Sequence, residues 1–243
     1  YEATYVRQAV VKIRLRECSL RTLPPLTQKQ IFMAKQVMDI RPGKGMTLSQ
    51  SNEHLRVSLH GAKSSSRSLN IDPTRDLLNF EITQGCQVVP VDKRTSIPKR
   101  IRENLKKRGI EDPNKKYKKL GLEPKIRTIA NFILGGSRDQ MHRLAFGNQK
   151  VNLERGADNS SIRRMPEIEN WAKDMYRFMS DRFGEKNIAA FVVHLDETNP
   201  HIHCTVLPIT EQNKFSWKQV MVGENNSKFE IGRASCRERV CLY

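Results

Sequence analysis

The sequence predicts an α+β fold, an antiparallel β-sheet flanked by helices, on three observations. Short apolar stretches of strand composition recur at residues 35–42, 126–136, 187–196 and 201–209. Runs with helical spacing of apolar residues lie between them. The last two strand-like stretches are separated only by Glu197, Thr198, Asn199 and Pro200, which have turn composition, so they fold back on each other as a hairpin.

The elements follow in order. KQVMDIRP alternates Val37 and Asp39 against Met38 and Ile40 and stops at Pro42, as a first strand does, and GKGMT is a loop. Residues 49–83 have a Ser-rich middle that is loop, and their Leu/Phe/Ile end returns towards a strand. PKRIRENLKKRG is a basic helix stopped by Gly109, and EDPNKKYKKLGLEP is a turn, a short helix and a turn. IRTIANFILGG is a strand. SRDQMHRLAFG is a short helix with Ser137 at its start and Gly147 past its end, and its His142 is a packing or surface residue. In MPEIENWAKDMYRFMSDRFG, Pro166 suits a first helical turn, Gly184 ends it, and Ile168, Trp171, Met175, Phe178 and Met179 recur at helical spacing as core. NIAAFVVHLD is a near-continuous apolar strand leading into the hairpin.

Three of the six histidines fall in HLDETNPHIH, residues 194–203. With a four-residue turn, Asp196 lies opposite His201 and His194 opposite His203. Alternation then puts His194, His201 and His203 on one face and turns Ile202, Cys204 and Val206 into a hydrophobic layer. Opposed Cβ atoms are about 5 Å apart, so the imidazoles can share one ion. A divalent metal is the expected occupant, because three protonated histidines so close would repel one another. Glu197 or Asp196 would add an oxygen ligand or orient a histidine. Mn2+ or Mg2+ suits phosphate chemistry at such a site, with Zn2+ as an alternative.

Charge points to the partner. Lys and Arg number 43 against 26 Asp and Glu, a net +17, a field that attracts phosphate backbones. The basic run, with Lys106, Lys107, Arg108, Lys115, Lys116, Lys118 and Lys119, is either a DNA-facing stripe or a solvated surface. Five scattered cysteines without CxxC spacing give neither a disulfide framework nor a thiolate zinc site. No long apolar run or leader is seen, so the expectation is a cytoplasmic protein without membrane insertion. The ends look foreign. Residues 1–32 read as translated upstream sequence, 33–229 as the catalytic domain cut short at its C-terminal side, and 230–243 as an adapter-derived tail.

HLDETNPHIH fits the pattern HxDExxPHxH, and SLNIDPTRDLLNFEI at 68–82 contains Asn70, Asp72, Arg75, Asn79 and Phe80 in the order of a second pattern. On these two motifs the chain resembles the MobV-type plasmid mobilisation relaxases, the Mob/Pre plasmid recombination family of the HUH endonuclease class. The resemblance implies an HUH-relaxase-like palm with the metal histidines on a central hairpin. It also implies an enzyme that nicks one strand at a transfer origin, stays covalently joined to the 5′ phosphate and religates. His194, His201 and His203 match its metal histidines, and Glu197 its acidic residue.

Relatives are expected to attack with histidine in an H-x-x-R motif. SNEHLRV offers His54 and Arg56 with one residue fewer between them, and His60 in SLHGAK is the second candidate nucleophile. Tyr1, Tyr5, Tyr117 and Tyr176 are less suitably placed. Arg56 and Arg75 are candidate phosphate ligands, and Asn70, Asp72 and Asn79 candidate DNA contacts. Asp76 and Leu77 stand where relatives tend to place a histidine. The DNA partner is then the origin as single strand and hairpin, joined by a type IV coupling protein and a second copy held through the missing C-terminal region, in a bacterial cytoplasm. The competing functions are an HUH-type replication initiator, a metal-dependent phosphodiesterase or deaminase without a covalent intermediate, and a non-enzymatic origin-binding protein.

Overall fold

A computed structural model describes residues 36–57 and 70–222. The segments 1–32 and 230–243 singled out above, and His60, lie outside the described residues.

Six strands form one antiparallel sheet: β1 (Val37–Gly43), β2 (Phe80–Thr83), β3 (Gln87–Pro90), β4 (Ile129–Gly135), β5 (Ile188–His194) and β6 (His201–Val206). Their order across the sheet is β1-β4-β6-β5-β2-β3, so the histidine-bearing pair β5–β6 is central. The helices are α1 (Leu48–Leu55), α2 (Ile97–Lys107), α3 (Lys115–Lys119), α4 (Arg138–Phe146) and α5 (Pro166–Phe183). This is the expected α+β architecture. Pro42 is accommodated because β1 is an edge strand, where a missing N–H breaks no ladder.

The two faces of the sheet are covered differently. On one, Phe80, Phe132, Leu134, Phe191, Val193, Ile202, Cys204 and Val206 pack against α4 and α5 in the main core. α5 meets them with Ile168, Trp171, Met175, Tyr176, Met179 and Phe183, while Phe178 sits at the rim. The other face is thinner: Ala190 and Val192 pack against Leu55 of α1 and Ile97 of α2. Glu81 of β2, 2% exposed, takes a two-pronged bond from Arg100 of α2 at 2.8 and 3.0 Å and ties that helix down.

α1 was not expected, because it buries only Ser51 and Leu55. Its signal is local: Thr47 and Gln50 form a capping box, each side chain satisfying the other's backbone N–H. Ser51 Oγ then accepts from the Ile97 N–H at 2.9 Å and joins α1 to the start of α2. Thr47→Ala is expected to cost about 1 kcal/mol, seen as a lower midpoint of urea unfolding. Ser137 and Gly147 flank α4 as expected, though the Ser137 side chain makes no capping bond.

Candidate metal centre

The hairpin register differs from the expected one. His194 pairs with His201 and Val192 with His203, so the connection is six residues, Leu195–Pro200, where four were expected. The slip is two residues, and side chains alternate with a period of two, so each histidine keeps its face. Ile202, Cys204 and Val206 enter the main core, and His194, His201 and His203 point to the α1–α2 side.

The three rings crowd together, with centroids 4.7 Å apart for His194–His203 and His201–His203 and 5.3 Å for His194–His201. One nitrogen from each lies within 4.8 Å of the others. Backbone carbonyls fix two of the tautomers. His194 Nε2 lies 2.7 Å from the carbonyl oxygen of His54 and His201 Nδ1 2.8 Å from that of Asn199, so in each the N–H is spent on a carbonyl. The lone pairs of His194 Nδ1 and His201 Nε2 are thereby aimed inward. His201 Nε2 and His203 Nε2 are 2.9 Å apart, and His194 Nδ1 is buried with no hydrogen-bond partner.

An orphaned inward lone pair beside two more ring nitrogens fits a divalent cation. Burial, then Arg56 and His201, hold His194 neutral; burial, then His194, do the same for His203. A nitrogen-rich donor set suits manganese or zinc better than magnesium, which favours oxygen.

The carboxylates divide the remaining work. Asp196 is fully buried, and both its oxygens are taken by Arg56, Nε at 2.8 Å and Nη2 at 3.0 Å. Arg56 Nη2 also donates to Glu197 Oε1. That oxygen lies 3.8 Å from His194 Nδ1, so Glu197 is the carboxylate placed beside the donor set. Arg56, expected as a phosphate ligand, has a side chain that is 6% exposed and bonded to two carboxylates.

His54 closes the site from α1. Its ring stacks on His203 with centroids 4.2 Å apart, and burial, then the Arg56 guanidinium, then His201, push its pKa down to about 4. A neutral imidazole with an available lone pair therefore adjoins the metal donors.

The second motif lies mostly inside. Arg75, 2% exposed, and Asn79, 4% exposed, both expected as DNA contacts, have interior side chains. Arg75 bonds to Asp72 and to the carbonyls of Leu195 and Glu197, and Asn79 accepts from the Leu195 N–H. Asp72 is half-buried and Asn70 exposed. Asp76 pairs with Lys93 at 2.6 Å, while Leu77 is 92% exposed.

In the basic run, Lys106, Lys107, Lys115, Lys116, Lys118 and Lys119 are exposed. Lys115 pairs with Glu111 and Lys118 with Asp112, whereas Arg108 is spent on Asn104, Asn187 and Asn213. Arg108, half-buried, thus ties the end of α2 to Asn187 and Asn213. His142 of α4 reaches the Thr198 carbonyl oxygen at 2.8 Å, a link to the hairpin turn that its position in the sequence did not reveal.

Residues 156–229 match the family model described as plasmid recombination enzyme, Mob/Pre. Over this segment the chain is similar to plasmid recombination enzymes. The matched segment includes Asn159, α5, β5, the six-residue turn and β6, and so all three clustered histidines. A plasmid recombination enzyme of Bacillus thuringiensis is 32% identical over 92 residues, 38% of this chain and 16% of the relative. A type 1 plasmid recombination enzyme of Staphylococcus aureus is 40% identical over 53 residues, 22% of this chain and 13% of the relative. The matched segments thus span under a fifth of those relatives' length. The fold is that of the MobM relaxase domain, solved bound to 22-nucleotide oriT DNA of plasmid pMV158 with manganese. It matches with a TM-score of 0.52 at 20% identity, over 76% of both chains.

Proposed function

We propose that this chain is a metal-dependent relaxase that nicks one DNA strand at a plasmid transfer origin, holds the 5′ phosphate covalently and rejoins it. The observation that carries this reading is the stack of a neutral His54 ring on His203, one of three imidazoles converging on a cation site. The MobM relaxase domain, which shares the fold, was crystallised with manganese and origin DNA.

His194, His201 and His203 would hold a divalent cation, with Glu197 beside them. Such a cation would polarise the scissile phosphate and offset the charge that develops on its oxygens. A ring nitrogen of His54 attacks phosphorus with its lone pair, and the P–O3′ bond breaks. The 3′ oxygen leaves with the bonding electrons and takes up a proton as the imidazole gives one up. The phosphoramidate on His54 conserves the bond, and attack by a 3′ hydroxyl reverses the step. Lys106, Lys107, Lys115, Lys116, Lys118 and Lys119 supply phosphate-attracting charge at the surface. The same reading places residues 33–229 as the catalytic domain in a bacterial cytoplasm, with a type IV coupling protein and a second copy of the chain as further partners. No helix of the described residues is long and apolar enough to cross a membrane.

The test is to incubate the protein with end-labelled single strands tiled across the DNA flanking its gene, with manganese or with EDTA. A manganese-dependent adduct that survives boiling in detergent and is released by acid, as a phosphoramidate is, is the expected result. Cleavage without an adduct would make the chain a simple phosphodiesterase. DNA that is bound but intact under both conditions would make it an origin-binding protein. An acid-stable adduct would move the attack to a hydroxyl.

A further inference from the structure

The turn Leu195–Pro200 joins the two histidine-bearing strands, and a six-residue connection does not fix its own shape as a two-residue hairpin turn does. Segment 72–79 holds its first half. The Asp72 N–H donates to the Asp196 carbonyl at 2.7 Å, and Arg75 Nη1 donates to the Leu195 carbonyl at 2.5 Å. Arg75 Nη2 reaches the Glu197 carbonyl at 3.3 Å, and Asn79 Oδ1 accepts from the Leu195 N–H at 2.6 Å. From the other side His142 meets the Thr198 carbonyl oxygen, and Asn199 Nδ2 donates to that of Gly136 at 3.3 Å.

Arg75 is itself held. Its Nε donates to Asp72 Oδ2 at 2.7 Å, and its guanidinium lies 5.4 Å from the ring centroid of Phe146. Asp72 Oδ2 also accepts from Asn159 Nδ2 at 2.8 Å. Asn159 is 4% exposed and ties Asp72 to the 152–159 loop through the Asn152 carbonyl and N–H. A charged guanidinium this deeply buried is stable only with its donors satisfied, and here they go to one carboxylate and two carbonyls of the turn.

We propose that Arg75, backed by Asp72 and Asn159, is a positioning bracket that sets the Leu195–Glu197 turn, and with it His194 and Glu197 at the cation site. This gives the second motif a role other than contact with DNA, and it draws in Asn159, which neither motif contains. A rigid fork of donors is what the position needs, because lysine's point charge does not span two carbonyls and a carboxylate in fixed directions. The proposal rests on the reading that the three histidines hold a divalent cation.

The experiment is calorimetric titration of Mn2+ into the wild-type chain, Arg75→Lys and Asn159→Ala. Thermal melting and binding to an origin strand in EDTA are measured alongside. Arg75→Lys is expected to weaken manganese uptake about 10–100-fold, the usual effect of losing a group that orients ligands. Asn159→Ala, one hydrogen bond further out, is expected to weaken it several-fold in the same direction. EDTA-state DNA binding stays at the wild-type level in both. Folded variants with lower melting temperatures but unchanged manganese affinity would reduce the bracket to ordinary scaffolding and overturn the proposal. Loss of DNA binding in EDTA with manganese affinity intact would make Arg75 a DNA contact and overturn it too. Should Arg75→Lys fail to fold, Asn159→Ala decides alone, and wild-type affinity there rejects the bracket. A wild-type chain that takes up no manganese would instead bring down the cation reading itself, a result distinct from the other outcomes.

Discussion

His54→Ala is expected to abolish the covalent adduct, lowering strand cleavage by about a thousandfold or more, since a nucleophile has no substitute in its own step. The rest of the site should survive. α1 is anchored by Ser51 and Leu55 and by its capping box, none of which involves the His54 ring. What His54 gives the cation site is its backbone carbonyl, the partner of His194 Nε2, and alanine retains that carbonyl. Manganese uptake by calorimetry and DNA binding in EDTA should therefore stay at wild-type levels while the adduct band disappears. Tyr176→Phe is the control, because that hydroxyl is bonded to Glu185 on the far face of the sheet and should leave the adduct intact. An adduct that persists in His54→Ala and vanishes in His60→Ala would move the attack to His60 and refute the role assigned to the His203 stack.

Arg56→Ala is expected to destabilise the fold by about 3–5 kcal/mol, the range for removing one partner of a buried ion pair. The Asp196 side chain is fully buried, and both of its oxygens are held by this one guanidinium, so alanine strands a carboxylate in the interior. Urea unfolding measures the loss, and the Arg56→Ala/Asp196→Ala double variant should recover part of it, because no charge is then left unpaired. A loss under about 1 kcal/mol would show that the pair is solvated. A stable Arg56→Ala chain that binds DNA weakly would restore the phosphate-ligand role that the sequence suggested.

The departures from expectation share a cause. Arg56, Arg75 and Arg108 look alike in sequence, as basic residues of a strongly basic chain, yet their partners are set by long-range packing. Arg56 meets Asp196 and Glu197 some 140 positions away, and Arg75 meets Leu195 and Glu197 some 120 away. The lysines Lys106, Lys107, Lys116 and Lys119 remain at the surface as their charge suggested. α1 was hidden because it rests on two buried residues and a cap, giving a weak apolar period; the box of Thr47 and Gln50 was its one legible mark.

By itself the sequence determined what alternation and local chemistry can fix: the helix limits at Pro166, Gly109, Gly147 and Gly184, the central hairpin, and the face shared by His194, His201 and His203. That face survived a two-residue error in turn length because side-chain direction depends only on parity along a strand. Tertiary structure alone decided that His54 stacks on His203, that Asp196 is spent on Arg56, and that segment 72–79 grips the hairpin turn. Those pairings depend on how α1 and the 3-10 helix Pro73–Leu78 dock against the sheet, and docking is fixed by buried contacts between distant segments rather than by any local pattern.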